Sequence, residues 1–512
     1  MEQFDIVVVG GGVNGCGIAR DAIGRGFSVL LAEQNDLASG TSSASTKLIH
    51  GGLRYLEFYD FALVREALKE REVLWAMAPH IIWPLRFVLP EAADSRPAWL
   101  LRLGLFLYDH IGGRKRLPPT RSLDLRHDPA GAALKPSMTR GFEYSDCWVM
   151  DSRLVVLNAR DAAARGARIH TQTQVTHLTR QDGGFVVRLK DRRSGATHEV
   201  GAKLVVNAAG PWVDHVLNSV VGETPRRHVR LVQGSHLVMK RLYDHDRCYI
   251  FQNRDGRVIF AIPYENDFTL IGTTDRDYPG DPAMVKATPE EIDYLCRTVS
   301  ESFEHPIDAK DVIWSYAGVR PLYDDGTSDA KAATRDYVLE LDARSDAPAV
   351  VSIFGGKITT YRRLAEEVID RLVPFLPRGI QAKAWTANAP LPGGDFAVEG
   401  IKELEQQIAR TYPFLAADHV SRLVAAYGTQ VTSVLGPVAD QRSLGRDFGA
   451  SLSEAEVRYL VAREWAQTAE DIVWRRTKLG LRLTPQQIQA LGQWLAESPG
   501  GQKAQQELRA AP

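Results

Sequence analysis

Residues Asp5–Val9 read DIVVV, a short β-branched run without polar alternation, the pattern of a strand covered on both faces. Glycines follow, then a helical stretch through Arg25, a further glycine, and a second apolar run, Ser28–Ala32. Strand, helix and strand in that order predict a βαβ unit at the start of the chain. From about Ala167 the period shortens. Ile169–Leu178, Phe185–Lys190 and His198–Val206 read as strands, joined by the turn signals Asp182-Gly183-Gly184 and Ser194-Gly195. Leu231–Met239, Arg257–Pro263, Phe268–Gly272 and Val350–Phe354 continue the β pattern. After Pro390-Leu391-Pro392-Gly393-Gly394 the strand signals fade. Ser453 with Glu456, and Thr484-Pro485-Gln486-Gln487, are helix starts.

The pattern predicts an α/β architecture over residues 1–392. A Rossmann-type nucleotide-binding domain (about 1–80, 140–220 and 310–390) is interleaved with a β-rich substrate domain (about 81–139 and 221–309). A helical domain follows over 393–512. A chain of 512 residues has the length for two or three such units.

Composition narrows the function. Lys+Arg (62) and Asp+Glu (63) nearly cancel, so the basic excess of a nucleic-acid binder is missing and an anionic ligand must be met by locally placed cations. Cys16, Cys147, Cys248 and Cys296 are scattered and form no CxxC pair, which predicts unpaired thiols in a reducing compartment and leaves no ligand set for zinc or an iron–sulfur cluster. Met1–Asp5 runs straight into the first strand with no apolar leader, and no uncharged apolar window reaches the ~18 residues of a membrane span. The expectation is a cytoplasmic protein, or one lying on a membrane surface.

Gly10, Gly12 and Gly15 satisfy GxGxxG between a strand and a helix, and Glu33 closes the second strand. A glycine-rich turn alone is a weak signal; this context makes it a dinucleotide fingerprint. Gly10 permits the tight turn, Gly12 lets backbone approach a pyrophosphate, and Gly15 lets helix and strand close up. The helix N-terminus offers oriented N–H groups to phosphate, and the Glu33 carboxylate suits ribose hydroxyls.

The stretch Leu37–Leu56, containing Ser45-Thr46-Lys47-Leu48-Ile49-His50-Gly51-Gly52, resembles the flavin-binding loop of the FAD-dependent glycerol-3-phosphate dehydrogenases. Further blocks agree in order: Gly141–Cys147, Asn207–Trp212, Gly234-Ser235-His236, Gly272–Asp275, Gly318–Leu322, Thr334–Tyr337 and Phe354–Arg362. The C-terminal region is similar too. The resemblance implies a D-amino-acid-oxidase-like flavoprotein with a helical cap, holding FAD. It further implies oxidation of sn-glycerol 3-phosphate to dihydroxyacetone phosphate by hydride transfer, with electrons passed to a membrane quinone at the cytoplasmic face of the inner membrane. It places the flavin against Ser45–Gly52 and Gly355–Thr359. The cofactor positions are then Thr41, Ser45, Lys47, Leu48, Gly51, Ala209, Gly210, Gly355, Gly356, Lys357 and Thr359, with Val175 in a strand on the adenine side.

Four cations in these blocks stand out as anion ligands: Arg54, Arg320, Arg335 and Lys357. A lone arginine is ordinarily a surface ion pair, but four in separate cofactor-adjacent motifs suit a phosphate dianion. Arg320, Arg335 and Arg54 are the expected phosphate ligands, Tyr55 and Thr359 the hydroxyl donors, and Lys357 the group facing negative charge on reduced flavin. The base for the substrate hydroxyl is His50 or His236, with His50 preferred for its place in the cofactor loop; for each, a core histidine bonded to backbone is the ordinary alternative. Three rivals stand beside the dehydrogenase. They are an oxidase reducing dioxygen, an amine or 2-hydroxyacid oxidase, and a non-catalytic flavin sensor with no use for a phosphate pocket. Pro97–Tyr108 is strongly apolar and Gly112-Gly113-Arg114-Lys115-Arg116 is basic. This is an internal helix between domains or an anchor in a bilayer interface. A homodimer is compatible with the sequence.

Overall fold

The computed structural model describes residues 1–91, 97–113, 115–221, 229–253, 256–324, 336–343, 348–375 and 383–497. The run Gln3–Val9 forms the middle of an eight-stranded sheet. Its parallel core runs Val350–Phe354, Thr197–Asn207, Gln3–Val9, Val29–Ala32 and Arg168–His170. Val338–Asp342 closes one edge antiparallel, and the hairpin Thr173–Gln181/Gly184–Asp191 joins through Thr197–Asn207. Helices Val13–Gly24, Asp151–Ala164 and Tyr361–Leu372 cover one face, where Ile6, Val8, Ile18, Leu31, Val155 and Leu364 make one apolar core. The nearly unbroken hydrophobicity of these strands follows from burial on both faces.

The expected strand Ile169–Leu178 is two strands, because Gln172 turns the chain with φ 54°. Phe268–Gly272 and Val350–Phe354 form as read. The four cysteines are buried and unpaired.

The second sheet has ten strands. Val229–Lys240 pairs with Phe268–Gly272 and, along its whole length, with Val312–Tyr323; Ile82–Pro90 pairs with Arg140–Val149, which also carries Leu48–Ile49. This corrects the expected boundaries. Arg140–Val149 and Val312–Tyr323 were assigned to the nucleotide-binding domain, and both pair in the substrate sheet. The flavin-like loop thus starts against one sheet and ends as an edge of the other.

Helix Ala98–Ile111 packs Leu101, Leu105 and Tyr108 on this second sheet. Its opposite face is open: Trp99 is 69% exposed, Phe106 57% and Leu103 47%. The helix is therefore internal on one side only. Among the described residues no helix is long and apolar enough to cross a membrane.

Beyond residue 393 the described chain is helical around its own core, from Leu404 to Leu495. Thr484 and Gln487 cap each other reciprocally, whereas Glu456 gives the Ser453 cap only its backbone N–H, which donates to Ser453 Oγ, and turns its carboxylate to Arg422 and Tyr427. This domain docks by buried charge. Arg153, on helix Asp151–Ala164, donates to Glu464 (Nη2 to Oε1, 3.0 Å) and to the Ala426 carbonyl, with both side chains essentially inaccessible. His80 lies in the same seam, beside Gly393 and Gly428, with neither ring nitrogen hydrogen-bonded. Burial, with the nearby Arg153 charge, pushes its pKa down to about 3.

Two measurements check this seam. Arg153→Met or Glu464→Leu alone should cost about 3–5 kcal/mol by stranding the other charge, while the double variant recovers most of that loss in urea unfolding. Additive losses would mean the two residues act separately. His80 is neutral in the folded protein, and its unfolded form takes a proton as pH falls below about 6.5, so stability drops on acidification by about 2 kcal/mol at pH 5 from this group. His80→Gln should therefore flatten the decline between pH 7.5 and 5; an unchanged slope would show that His80 does not contribute.

Candidate active site

The site is built on the glycine turn. Gly10 holds φ 110°, and a Cβ there would lie 2.5 Å from the Ala208 carbonyl oxygen; one on Gly15 would lie 1.9 Å from the Gly10 oxygen. Neither position admits another residue without moving backbone. At Gly12 a Cβ would meet only Ser42 Oγ, at 3.2 Å, and at Gly210 nothing within 4 Å. Space therefore opens at Gly12 and at the end of strand Thr197–Asn207, the carboxyl edge of the sheet, where ligands bind in such folds.

Glu33 is 9% exposed, and its carboxylate accepts the Gly11 N–H (2.7 Å) and the Asn35 N–H (2.7 Å). Burial raises its pKa, and these two donors pull against the rise. Glu33 thus braces the turn itself, one carboxylate oxygen on Gly11 and the other on Asn35. Val175 is core, packed with Val9, Leu30 and Ala32, two residues from Thr173, whose N–H bonds the Glu33 carbonyl.

The loop from Thr41 to Tyr55 is tied down by its own side chains. Thr41 donates to the Val319 carbonyl, Ser42 accepts the Val13 N–H at 3.0 Å, and Ser45 donates to Asp151 at 2.8 Å. Lys47, at φ 61° and 1% exposed, sends its ammonium to the same Asp151 oxygen at 2.7 Å. Leu48 is 3% exposed, in the core of the second sheet. Gly51 donates to Tyr108 Oη (2.7 Å), which donates in turn to Asp146. With these side chains committed, what the loop offers a flat ligand is backbone. Asp151 was not singled out from sequence; it holds two loop residues at once. Burial would raise its carboxyl, but the Lys47 and Lys478 charges and the bonds from Lys47 and Ser45 keep it below the usual range.

The glycines Gly355 (φ 75°) and Gly356 (φ 96°) face the helix start, where Asn14 Nδ2 donates to the Gly355 carbonyl at 3.3 Å. Beyond them Thr359, 2% exposed, bonds the backbone of His50 in both directions, at 3.3 and 3.4 Å. Its hydroxyl therefore joins loop to strand end, and is not free as the expected substrate donor. Lys357 Nζ lies 4.0 Å from the centre of the Tyr55 ring, which packs over Gly52. Burial, with the Lys357 and Arg71 cations, lowers the pKa of half-buried His50 to about 4.

His236 sits apart from His50. Its Nε2 pairs with Thr46 Oγ1 at 2.9 Å, and its ring stacks on Tyr316 at 4.8 Å, whose hydroxyl donates to the Ser45 carbonyl. Burial, with Lys47 and Arg320 adding, pushes it down to about 3. Both histidines are neutral near pH 7 and able to accept a proton. Arg320 extends Nη2 to Asp275 Oδ1 (2.7 Å) and lies against Gly234, its side chain 35% exposed. Asp275 restrains the guanidinium, a partner not expected from sequence. Arg54 lies in the turn that carries Tyr55, and Arg335 lies outside the described residues.

Three buried polar atoms around this space have no partner: Asn14 Oδ1, Lys357 Nζ and His236 Nδ1. Buried polar atoms are ordinarily satisfied, so an acceptor, a donor and a ring nitrogen left over here fit a polar ligand. The glycine cradle, the side-chain-anchored loop and the ammonium beside Tyr55 fit FAD.

The comparisons agree. Residues 5–362 match the model of the FAD dependent oxidoreductase family, and residues 384–497 match the C-terminal domain of alpha-glycerophosphate oxidase. The chain is 51% identical to D-erythritol 1-phosphate dehydrogenase of Brucella abortus, covering 96% of this chain and 98% of that one. It is 50% identical to glycerol-3-phosphate dehydrogenase of Pseudomonas aeruginosa (96% and 95%) and 45% identical to aerobic glycerol-3-phosphate dehydrogenase of Escherichia coli (97% and 98%). Among solved structures, glycerol-3-phosphate dehydrogenase from Bacillus halodurans complexed with FAD superposes with a TM-score of 0.75 at 29% identity, covering 99% of this chain and 94% of that one. A paired match of this kind, catalytic and C-terminal domains together over nearly the whole length, makes the chain an FAD-dependent oxidoreductase of the glycerol-3-phosphate dehydrogenase family.

Proposed function

We propose that this enzyme oxidises the C2 hydroxyl of sn-glycerol 3-phosphate to the ketone of dihydroxyacetone phosphate and passes the electrons to a membrane quinone. The observation that carries the reading is the Lys357 ammonium over the Tyr55 ring, close enough to lower the His50 pKa, together with the Arg320 guanidinium held beside Gly234 by Asp275. FAD supplies the hydride acceptor. The protein's own work is to position the substrate and move its proton. Arg320, oriented by Asp275, binds the phosphate, with Arg54 and Arg335 completing the cationic side. Tyr55 holds the Lys357 ammonium, which would offset negative charge on a bound flavin. His50, neutral and half-buried, takes the hydroxyl proton; His236 is engaged by Thr46 and Tyr316 and serves to place the loop.

A second reading differs by one carbon: the 51% identity to D-erythritol 1-phosphate dehydrogenase favours a four-carbon polyol phosphate. Steady-state kinetics on both phosphates decide between them, since the higher kcat/KM names the substrate. Helix Ala98–Ile111 supports a membrane-borne acceptor. Its outward Trp99, Leu103 and Phe106, near Lys115 and Arg116, form an apolar face with adjacent positive charge, suited to a bilayer interface at the cytoplasmic face of the inner membrane. Arg114 lies outside the described residues. A quinone is itself a lipid, so its reductase must reach the membrane.

If Arg320 binds phosphate, Arg320→Ala loses a charge-assisted contact of about 2–5 kcal/mol, or roughly 30-fold to several thousand-fold in kcat/KM for the phosphorylated substrate. Turnover of glycerol, which lacks the phosphate, should barely change; an equal loss on both substrates would move the phosphate site elsewhere. For the membrane, Trp99→Ser with Phe106→Ser should strongly reduce co-sedimentation with vesicles containing anionic lipid. Lys115→Gln with Arg116→Gln should weaken binding chiefly at low salt. Sedimentation unchanged in both would leave this face without a membrane role.

A further inference from the structure

One short segment of the C-terminal domain touches three parts of the catalytic domain around the proposed cofactor site. In the helical turn Asp471–Arg476, Arg475 Nε bonds Asp36 Oδ2 at 2.6 Å, and Arg476 grips the same carboxylate with two bonds, Nη1 to Oδ2 at 2.8 Å and Nη2 to Oδ1 at 2.7 Å. Asp36 is 3% exposed and Arg476 1%. Trp474 stacks on Trp314 of the substrate sheet at 4.3 Å. Lys478 lines a small cavity with Lys47, Asp151 and Glu265, beside the anchor of the flavin-like loop.

The Asp36 contact is the informative one. Asp36 lies in the middle of a loop that brackets Gly11 from both sides: the Glu33 carboxylate accepts the Gly11 N–H at 2.7 Å, and the Ala38 N–H donates to the Gly11 carbonyl at 3.0 Å. A Cβ on Gly11 would collide with Glu33 and Leu37, so the loop and the glycine turn are in direct contact. Two arginines on one buried carboxylate are more than domain docking requires, since Arg153–Glu464 already docks the domain through helix Asp151–Ala164.

We infer that Arg475 and Arg476 are positioning residues for FAD: by fixing Asp36 they hold the Glu33–Ala38 loop against the glycine turn, so that the C-terminal domain sets how tightly the cofactor is kept. The arginines touch no cofactor atom themselves. They act through Asp36, and the inference rests on the reading of Gly10–Gly15 as the pyrophosphate turn.

The test is flavin release from purified holoenzyme, read as free-flavin fluorescence over serial dilution, with thermal unfolding of each variant followed in saturating FAD. Arg476→Met should weaken FAD binding by roughly 10–100-fold, the usual effect of losing a partner that orients a ligand-holding group. Isosteric Asp36→Asn carries the same expectation if Arg476→Met does not fold. Arg160→Met removes domain contacts to Tyr459 and Glu464 but leaves both arginines on Asp36, and should change FAD affinity by less than about threefold, whatever its effect on unfolding. Gly12→Val, which sends a side chain into the opening at the turn, should give folded protein without flavin. FAD affinity within about threefold of the parent in Arg476→Met or Asp36→Asn, or an equal loss in Arg160→Met, overturns the inference. If Gly12→Val alone retains its flavin, the turn assignment fails first.

Discussion

The carboxylate of Asp151 is where the parts of this protein meet. It stands at the start of helix Asp151–Ala164, with no exposed surface, and takes Ser45 Oγ and Lys47 Nζ on one oxygen. Those two residues begin the chain's passage from the nucleotide-binding sheet into the substrate sheet, where Leu48–Ile49 pairs with Arg140–Val149. Lys478 approaches the same point from the C-terminal domain. Burial of one carboxylate among two lysines is tolerable only as a fully bonded cluster; removing any member strands the others in low dielectric. The path of the loop is thus set by charge, and its backbone is left for the ligand.

Lys478 records the tension in that arrangement. Burial, with Lys47 beside it, pushes its pKa down to about 7, opposed by Asp151 and Glu265. Lys478 thus enters this cluster from the C-terminal domain with its charged form disfavoured by burial.

What could be read from sequence was local. The strands Gln3–Val9 and Val350–Phe354, the glycine turn and the cap at Thr484 announce themselves within a few residues, because periodicity and capping are short-range effects. The site cations were recognisable as members of motifs, yet their geometry was not. Arg320 is restrained by Asp275 across the strand ends, and Thr359 faces His50 across more than three hundred residues of chain. The domain boundaries near 140 and 310 were misplaced for the same reason: Arg140–Val149 and Val312–Tyr323 look like any strand, and only their pairing says which sheet owns them. Asp36 with Arg475 and Arg476 was invisible, since an acidic residue in a loop and two arginines far downstream carry no mutual signal.

These long-range ties explain why the helical domain travels with the catalytic one. A Rossmann-type turn needs only strand, glycines and helix to form, but here its loop also leans on Arg475 and Arg476. The flavin-like loop leans on Asp151, and Asp151 faces Lys478. Trp314, stacked on Trp474, neighbours Tyr316, which stacks on His236 and bonds the Ser45 carbonyl. A shift of the segment 474–478 would therefore reach the dinucleotide turn, the flavin-like loop and the histidine wall together.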